Sequence, residues 1–266
     1  MPLSPDDDHA IDRIVEMLRP DSRLLFITGA GLSADSGLPT YRGIGGLYEG
    51  GLPTTHGLAI EEVLSGAMLS ARPDITWTYL NEIAKSSSGA TFNRGHEVIA
   101  AMEGHFADVW VLTQNVDGFH RAAGSRRVVD IHGDLHRVIC SRCDYGRDVE
   151  ARDYDDFEIP PRCPSCGAVV RPDVVLFGED LPMDKFNLFR GRLAEGFSAV
   201  FSVGTSSLFP YIEAPVYHAR ARGTPTIEIN PGRTDLSDDV DIKITARAAE
   251  ALDAIWARYR ARRPTP

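Results

Sequence analysis

The chain has 266 residues, 43% hydrophobic and 25% charged, with a formal net charge of −10 at pH 7. That length accommodates one large domain, or one with a smaller module, around a sizeable core. The acidic balance argues against nucleic acid or an anionic membrane as main partner, and no apolar stretch approaches the ~20 residues that span a bilayer. The acidic start Met1-Pro-Leu-Ser-Pro-Asp-Asp-Asp8 lacks the apolar segment of a secretory leader, so the expected location is cytoplasmic.

In chain order, the apolar spacing predicts an amphipathic helix from Ile11 to Leu18, stopped at Pro20, and then a buried strand over Leu24–Thr28. Gly43 to Gly57 reads as an irregular loop rich in Gly, Pro and Thr. Ile60–Leu69 and Ile75–Lys85 read as helices, the second closed by Ser86-Ser-Ser-Gly89, and His96–Met102 continues a helix. Val109–Thr113 and Val128–Ile131 are further strands. A cysteine module follows from Val138 to Val170, then strands at Val174–Phe177, Ala199–Val203, Thr226–Ile229 and Asp241–Ile244. A C-terminal helix carries Leu252, Ile255, Trp256 and Tyr259 on one side. Apolar strands alternating with helices imply a parallel sheet covered on both faces, with ligands at the polar and glycine-rich segments that follow the strands.

The first such segment is the most informative. Gly29-Ala-Gly-Leu-Ser-Ala-Asp-Ser-Gly-Leu-Pro-Thr-Tyr-Arg42 follows a buried strand, where phosphate groups meet backbone N–H at a helix start. The spacing is not the G-x-G-x-x-G of a dehydrogenase: Ser33 and Ala34 follow Gly31, and the next glycine is Gly37. The second signal is a cysteine quartet, Cys140-x2-Cys143 and Cys163-x2-Cys166, with nineteen residues between the pairs. Two such knuckles close a tetrahedron of thiolates with no open position, which fits one structural zinc. A cytoplasmic chain disfavours two disulfides, and duplication of the motif disfavours a redox pair.

Beside these stand Thr113-Gln-Asn-Val-Asp-Gly-Phe-His120, Ile131-His-Gly133, Phe177-Gly-Glu179, Gly204-Thr-Ser206 and Ile229-Asn230. The ordered set resembles the sirtuin family and spans nearly the whole chain. The resemblance implies an α/β fold: a Rossmann-like parallel sheet domain with a smaller domain made of a helical insertion and a zinc ribbon. Residues 1–45, 86–137 and 171–266 would form the first, and 46–85 and 138–170 the second. It implies NAD-dependent removal of acyl groups from protein lysines, releasing nicotinamide and leaving the acyl group on ADP-ribose. The partners would be acylated-lysine proteins or peptides.

Within the resemblance, His132 is the base that takes a proton from a ribose hydroxyl, a task suited to an imidazole whose ordinary pKa is ~6.5. Composition alone does not choose among His120, His132 and His136; the Ile-His-Gly context selects His132. His96 and His105 read as structural or surface residues. Gln114 and Asn115 would hydrogen-bond ribose and ordered water, and Asp117 the carboxamide; Asn115 and Asp117 join His132 as catalytic candidates. Such a cluster could also simply cap the next helix. Gly29, Ala30 and Gly31 would bring N–H groups to the pyrophosphate, with Ser33 beside them. Tyr41 would cover the nicotinamide pocket, and Arg42 would face the cofactor. Gly204, Thr205 and Ser206 would hold the phosphate-ribose side, Asn230 the adenosine ribose, and Ala248 would lie beside the adenine. Val175, Phe177, Gly178 and Glu179 resemble the edge that pairs with a substrate peptide by strand addition.

Thr40 stands where many deacetylases have Asp and points toward acidic acyl groups. The subgroup that removes them also carries Tyr and Arg three and six residues after a Trp. Counting from Trp77, those positions are Leu80 and Ile83. A buried carboxylate without a cationic partner is costly, so a neutral acyl group is expected. Sliding the register by one supplies Tyr79 but no Arg; Arg42 or Arg72 is the other cation that could reach the pocket. Phe209 stands where Val is common. The alternative on the same fold is an ADP-ribosyltransferase or NAD hydrolase.

Overall fold

The computed structural model describes residues 3–40 and 57–263. Expectations that fall on residues 41–56, including Tyr41 and Arg42, lie outside the described residues. The first helix, α1 (Pro5–Met17), begins earlier than Ile11 because Ser4 and Asp7 cap it reciprocally and Pro5 takes the first helical position. The chain then forms β1 (Arg23–Thr28) and the short α2 (Ala30–Ser33), followed by α3 (Ile60–Val63), α4 (Gly66–Ala71), α5 (Pro73–Ser86) and α6 (Arg94–Met102). Next come β2 (Asp108–Thr113), α7 (Phe119–Ala122), β3 (Val128–Asp130), β4 (Gly133–Cys140), β5 (Gly146–Asp148) and β6 (Val170–Val174). The remainder alternates: α8 (Met183–Glu195), β7 (Ala199–Val203), α9 (Pro210–Ala221), β8 (Thr226–Ile229), β9 (Ile242–Ile244) and α10 (Ala248–Arg262).

Six strands form one sheet in the order β3-β2-β1-β7-β8-β9, every pair parallel. This is the doubly wound arrangement, and the strand order reverses between β1 and β7. Side-chain alternation explains its two cores. Leu24 and Phe26 face α1, α6 and α10, where Phe26 stacks on Phe201 at 4.7 Å. Leu25 and Ile27 face the opposite side, with Phe189 of α8 and Ile212 and Val216 of α9. Neither α8 nor α9 is anticipated by the apolar spacing: α8 buries only Phe189 and α9 carries Pro215 in its interior.

A three-stranded sheet, β5-β4-β6, surrounds the cysteines and shares a third core with α3, α4 and α5. Trp77 of α5 is fully buried there, and its indole N–H donates to the Val170 carbonyl at 2.8 Å. Tyr154 and Phe157 pack around it with ring centroids 6.1 and 5.6 Å away. The strand expected over Val174–Phe177 ends at Val174; beyond it, Phe177 pairs with the Leu64–Gly66 segment through N–H to Leu64 (3.0 Å) and carbonyl from Gly66 (3.1 Å). No helix among the described residues is long and apolar enough to cross a membrane.

Candidate functional site

A cavity of about 790 Å³ opens at the C-terminal ends of β1, β2 and β7, where the strand order reverses. It is of the size that takes a cofactor or drug-sized ligand. Gly29, Ala30, Gly31, Gln114, Asn115, His132, Val175, Phe177, Gly178, Glu179, Gly204, Thr205, Ser206 and Asn230 all line it. Residues distant in sequence and chosen for one chemistry thus meet on one surface.

The loops that carry them are bonded to one another. Gly31 N–H donates to the Gly204 carbonyl at 2.8 Å, and Gly29 N–H to the Val203 carbonyl at 3.1 Å. A Cβ on Gly31 would lie 2.7 Å from the Gly204 Cα. The glycine at 31 is therefore demanded by contact between the β1 and β7 loops as much as by any ligand. Gln114 Nε2 donates to Thr205 Oγ1 at 2.7 Å, and Asn230 Nδ2 to the Thr205 carbonyl at 3.1 Å. Ser207, at φ +57, completes the loop with its N–H donating to Thr205 Oγ1. A non-glycine residue held in that region is strained, and such strain clusters at functional sites.

Behind the wall runs a chain of short hydrogen bonds. Asn115 Nδ2 donates to the Gly29 carbonyl and to Ser33 Oγ, both at 3.0 Å, and Ser33 Oγ donates to Asp117 at 2.6 Å. Asp117 also accepts from the Phe119 N–H at 3.0 Å, the first N–H of α7, from one residue before the N-cap Gly118. Burial pushes its carboxyl above the usual range, with the Ser33 and Phe119 bonds opposing. Ser33 and Asp117 are buried and sit behind Asn115 rather than on the described lining. Ala248 packs into the core beside the sheet, while its neighbour Arg247 reaches the cavity wall and pairs with Asp35 at 2.8 Å.

His132 precedes β4, and the glycine after it is structurally forced. Gly133 has φ +91, and a Cβ there would lie 1.9 Å from the Asp173 carbonyl oxygen of β6. Only glycine lets β4 and β6 close while the imidazole turns toward the cleft. Nδ1 lies 3.1 Å from the Gln114 carbonyl and Nε2 lies 2.7 Å from the Tyr211 hydroxyl. A carbonyl only accepts, so Nδ1 carries the proton and Nε2 presents its lone pair. Burial holds the imidazole below its ordinary pKa, partly offset by the bond to Gln114. The ring is therefore neutral at neutral pH, with the Nε2 lone pair unprotonated. By contrast His96 and His120 are buried behind the cleft, with ring centroids 4.9 Å apart. His136 bonds Asp134 at 2.9 Å.

Residues not picked out as functional also line the cavity, notably Tyr211, Arg233, Thr234 and Arg247. Tyr211 lies directly beyond the β7 loop, which places it near the cleft, but its contact with His132 is long-range. Leu80 and Ile83 line the wall together with Thr40, Leu64, Val116, Leu135, Val174 and Leu176. Arg72 is not on the described lining; it pairs with Asp74 at 2.6 Å on the surface. The two arginines on that lining, Arg233 and Arg247, belong to the segments around Asn230 and Ala248.

The four cysteine sulfurs lie within 4.8 Å of one another, with Cys140–Cys166 at 3.5 Å and Cys143–Cys163 at 3.6 Å. Tetrahedral Zn–S bonds of ~2.3 Å place sulfurs ~3.8 Å apart, so the donor set fits one structural zinc. All four cysteines are free of disulfides.

The Sir2 family model matches residues 29–209. NAD-dependent protein deacylase 2 of Pseudomonas aeruginosa is 48% identical over 252 residues, covering 94% of this chain and 97% of that protein. A solved Sir2 homologue–NAD complex superposes with a TM-score of 0.80 at 31% identity, covering 94% of each chain. A solved Sir2–p53 peptide–NAD complex gives 0.78 at 25% identity, covering 93% of this chain and 98% of that one. With the family match running from the glycine turn through the cysteines to the Gly204 loop, and the relative matched almost end to end, this chain belongs to the Sir2 family.

Proposed function

We infer that this chain is an NAD-dependent protein lysine deacylase, which moves the acyl group of a modified lysine onto ADP-ribose and releases nicotinamide. The observation that carries the reading is His132: a neutral imidazole with Nδ1 fixed on the Gln114 carbonyl and Nε2 turned to a cavity shared by the glycine turn, the Gly204 loop and the Val175–Glu179 edge. Relatives named as NAD-dependent deacylases and a neighbour bound to both NAD and a peptide support it.

NAD supplies the ribose that accepts the acyl group and the nicotinamide that leaves. His132 Nε2 takes the proton of the attacking ribose hydroxyl. Gln114 and Asn115, already tied to Thr205 and Gly29, present polar groups to the nicotinamide ribose, and Asp117 acts from behind through Ser33. The Gly29–Gly31 and Gly204–Ser206 loops hold the phosphates, and Asn230 holds the far ribose. The substrate peptide adds to the Val175–Phe177 edge; Glu179 orders that edge by accepting from the Leu176 N–H at 2.9 Å and pairing with Arg171. The acyl chain lies against Leu80 and Ile83, a wall that accepts neutral groups and whose described residues offer no cation to a carboxylate. The described part of residues 46–85, together with the cysteine module 138–170, forms one smaller domain, and cofactor and peptide enter the cleft between it and the sheet domain.

The test is nicotinamide release with an acetyl-lysine peptide and NAD, with the product identified by mass spectrometry. O-acetyl-ADP-ribose is the expected product. Free ADP-ribose, or protein carrying ADP-ribose, would replace this reading by hydrolase or transferase chemistry.

A further inference from the structure

We propose that Tyr211 is a positioning residue whose hydroxyl occupies the His132 lone pair in the free enzyme and yields it to the ribose hydroxyl when substrates bind. The inference rests on the deacylase reading for the role of His132, but the contact itself is independent of that reading. Tyr211 stands at the second position of α9 and lines the cavity. Its ring stacks on Phe209 at 5.4 Å, nearly parallel at 14°, and both rings stand edge-on to His132 at 5.9 Å. That packing points the hydroxyl at Nε2, 2.7 Å away.

The donor and acceptor roles are fixed by chemistry. Nδ1 must donate to the Gln114 carbonyl, so Nε2 must accept, and Tyr211 is the donor. Burial pushes the Tyr211 hydroxyl up to about 12, which keeps its proton in place across the working range. Nε2 has one lone pair in the ring plane. A base has to approach the proton it abstracts to ~2.6–3.2 Å, so the ribose hydroxyl and Tyr211 compete for the same site. Tyr211 thereby holds the ring in one orientation and in its neutral form until it is displaced.

No other described titratable group touches the ring. On the flanking strands, Asp130 pairs with Lys185 at 2.8 Å and Arg121 at 3.5 Å, Asp134 with His136, and Asp173 with Arg137 at 3.8 Å. Asp117 is held by Ser33, Glu179 by Arg171, and Glu213 of α9 acts on Tyr217.

Tyr211→Phe keeps both ring contacts and removes only the hydroxyl. Melting temperature and NAD binding serve as controls for folding. The acid limb of kcat/KM, which reports the free enzyme, is expected to move up by about 0.5 to 1 pH unit, the size of one hydrogen bond. The acid limb of kcat, which reports the substrate complex, is expected to stay, with the kcat plateau within about threefold of wild type. An unmoved kcat/KM limb, or a kcat limb that moves with it, overturns the proposal. NMR titration of the His132 ring in the free protein reads the same upward shift without turnover. An unchanged titration overturns the contact, whereas a wild-type protein that releases no nicotinamide overturns the deacylase reading.

Discussion

The loops at the end of the six-stranded sheet and the region around the cysteines both have to hold irregular backbone still, and they do it by different means. Around the cleft, polar side chains bind backbone of neighbouring loops: Gln114 to Thr205, Asn115 to Gly29, Asn230 to Thr205. Those loops inherit their spacing from parallel strands of four to six residues that are buried along most of their length. Around the cysteines only three strands pair, of eight, three and five residues, and the core is a small cluster around Trp77 and Tyr154 shared with α3, α4 and α5. There four thiolates take over the task that the sheet performs elsewhere. The same polypeptide therefore depends on packing alone in one region and on packing together with a metal in the other, with separate points of failure.

Metal removal should separate the two most sharply. Cys140→Ser with Cys143→Ser is expected to abolish binding of one zinc per chain, and structural zinc contributes on the order of 10 kcal/mol to small modules. Metal analysis and melting would show a loosened cysteine region beside a sheet that still melts cooperatively. A metal-free protein with unchanged melting and activity would erase the distinction.

His132→Ala strikes the cleft without touching either fold. Deacylation should fall ~10²–10⁴-fold, the usual contribution of a positioned base, with NAD binding and melting temperature retained. Near-normal turnover of an acetylated peptide would remove His132 from its role.

Acid should weaken the sheet region. Burial lowers His96 to about 4 and holds the fully buried His120 well below its ordinary value. The unfolded chain takes up protons from pH ~6.5 downward while the folded chain does not, so stability is lost as pH falls from ~6.5 toward ~4. For His96 alone the loss reaches ~3 kcal/mol at most. His96→Gln, which retains an acceptor for the Asn93 N–H, should flatten melting temperature against pH over that window; an unaltered slope would place the acid sensitivity elsewhere.

Gly31→Ala should cost ~1–3 kcal/mol, because the added methyl would press on Gly204 across the switch point. Chemical denaturation measures it, and a neutral substitution would mean that the two loops part easily. The smallest effect concerns acyl choice. Succinyl-lysine should be turned over at least ~10-fold less well than acetyl-lysine in a matched peptide, ~1.4 kcal/mol in the transition state. Leu80→Tyr with Ile83→Arg should narrow that ratio, and a wild-type preference for succinyl would show that a cation outside the described wall reaches the chain.

Much of this was legible in the sequence, for identifiable reasons. The buried strands announce themselves because both faces of a parallel sheet are apolar, and the cysteine spacing maps directly onto a tetrahedron. Ile131-His-Gly133 was legible too, although its cause was not: Gly133 is required by a β6 carbonyl forty residues away. Helices α8 and α9 stayed hidden because one buries a single side chain and the other contains a proline. Tyr211 stayed hidden because its partner, His132, lies 79 residues away, and no local pattern encodes such a meeting. Capping moved α1 outward through Ser4 and Asp7, a polar signal that apolar spacing does not carry.

The indole of Trp77 carries a consequence for selectivity. It fastens α5 to the Val170 carbonyl at the edge of the cysteine module, and Lys85 of the same helix pairs with Asp155 at 3.0 Å. Leu80 and Ile83 sit on that helix, between those two anchors. The part of the cavity wall proposed to meet the acyl chain is thus tied to the cysteine module through Val170 and Asp155. Under the proposed function, an ion that never meets the substrate would help hold that wall in place, so partial zinc loss should blur discrimination among acyl chains at metal levels where turnover of the acetyl group still survives.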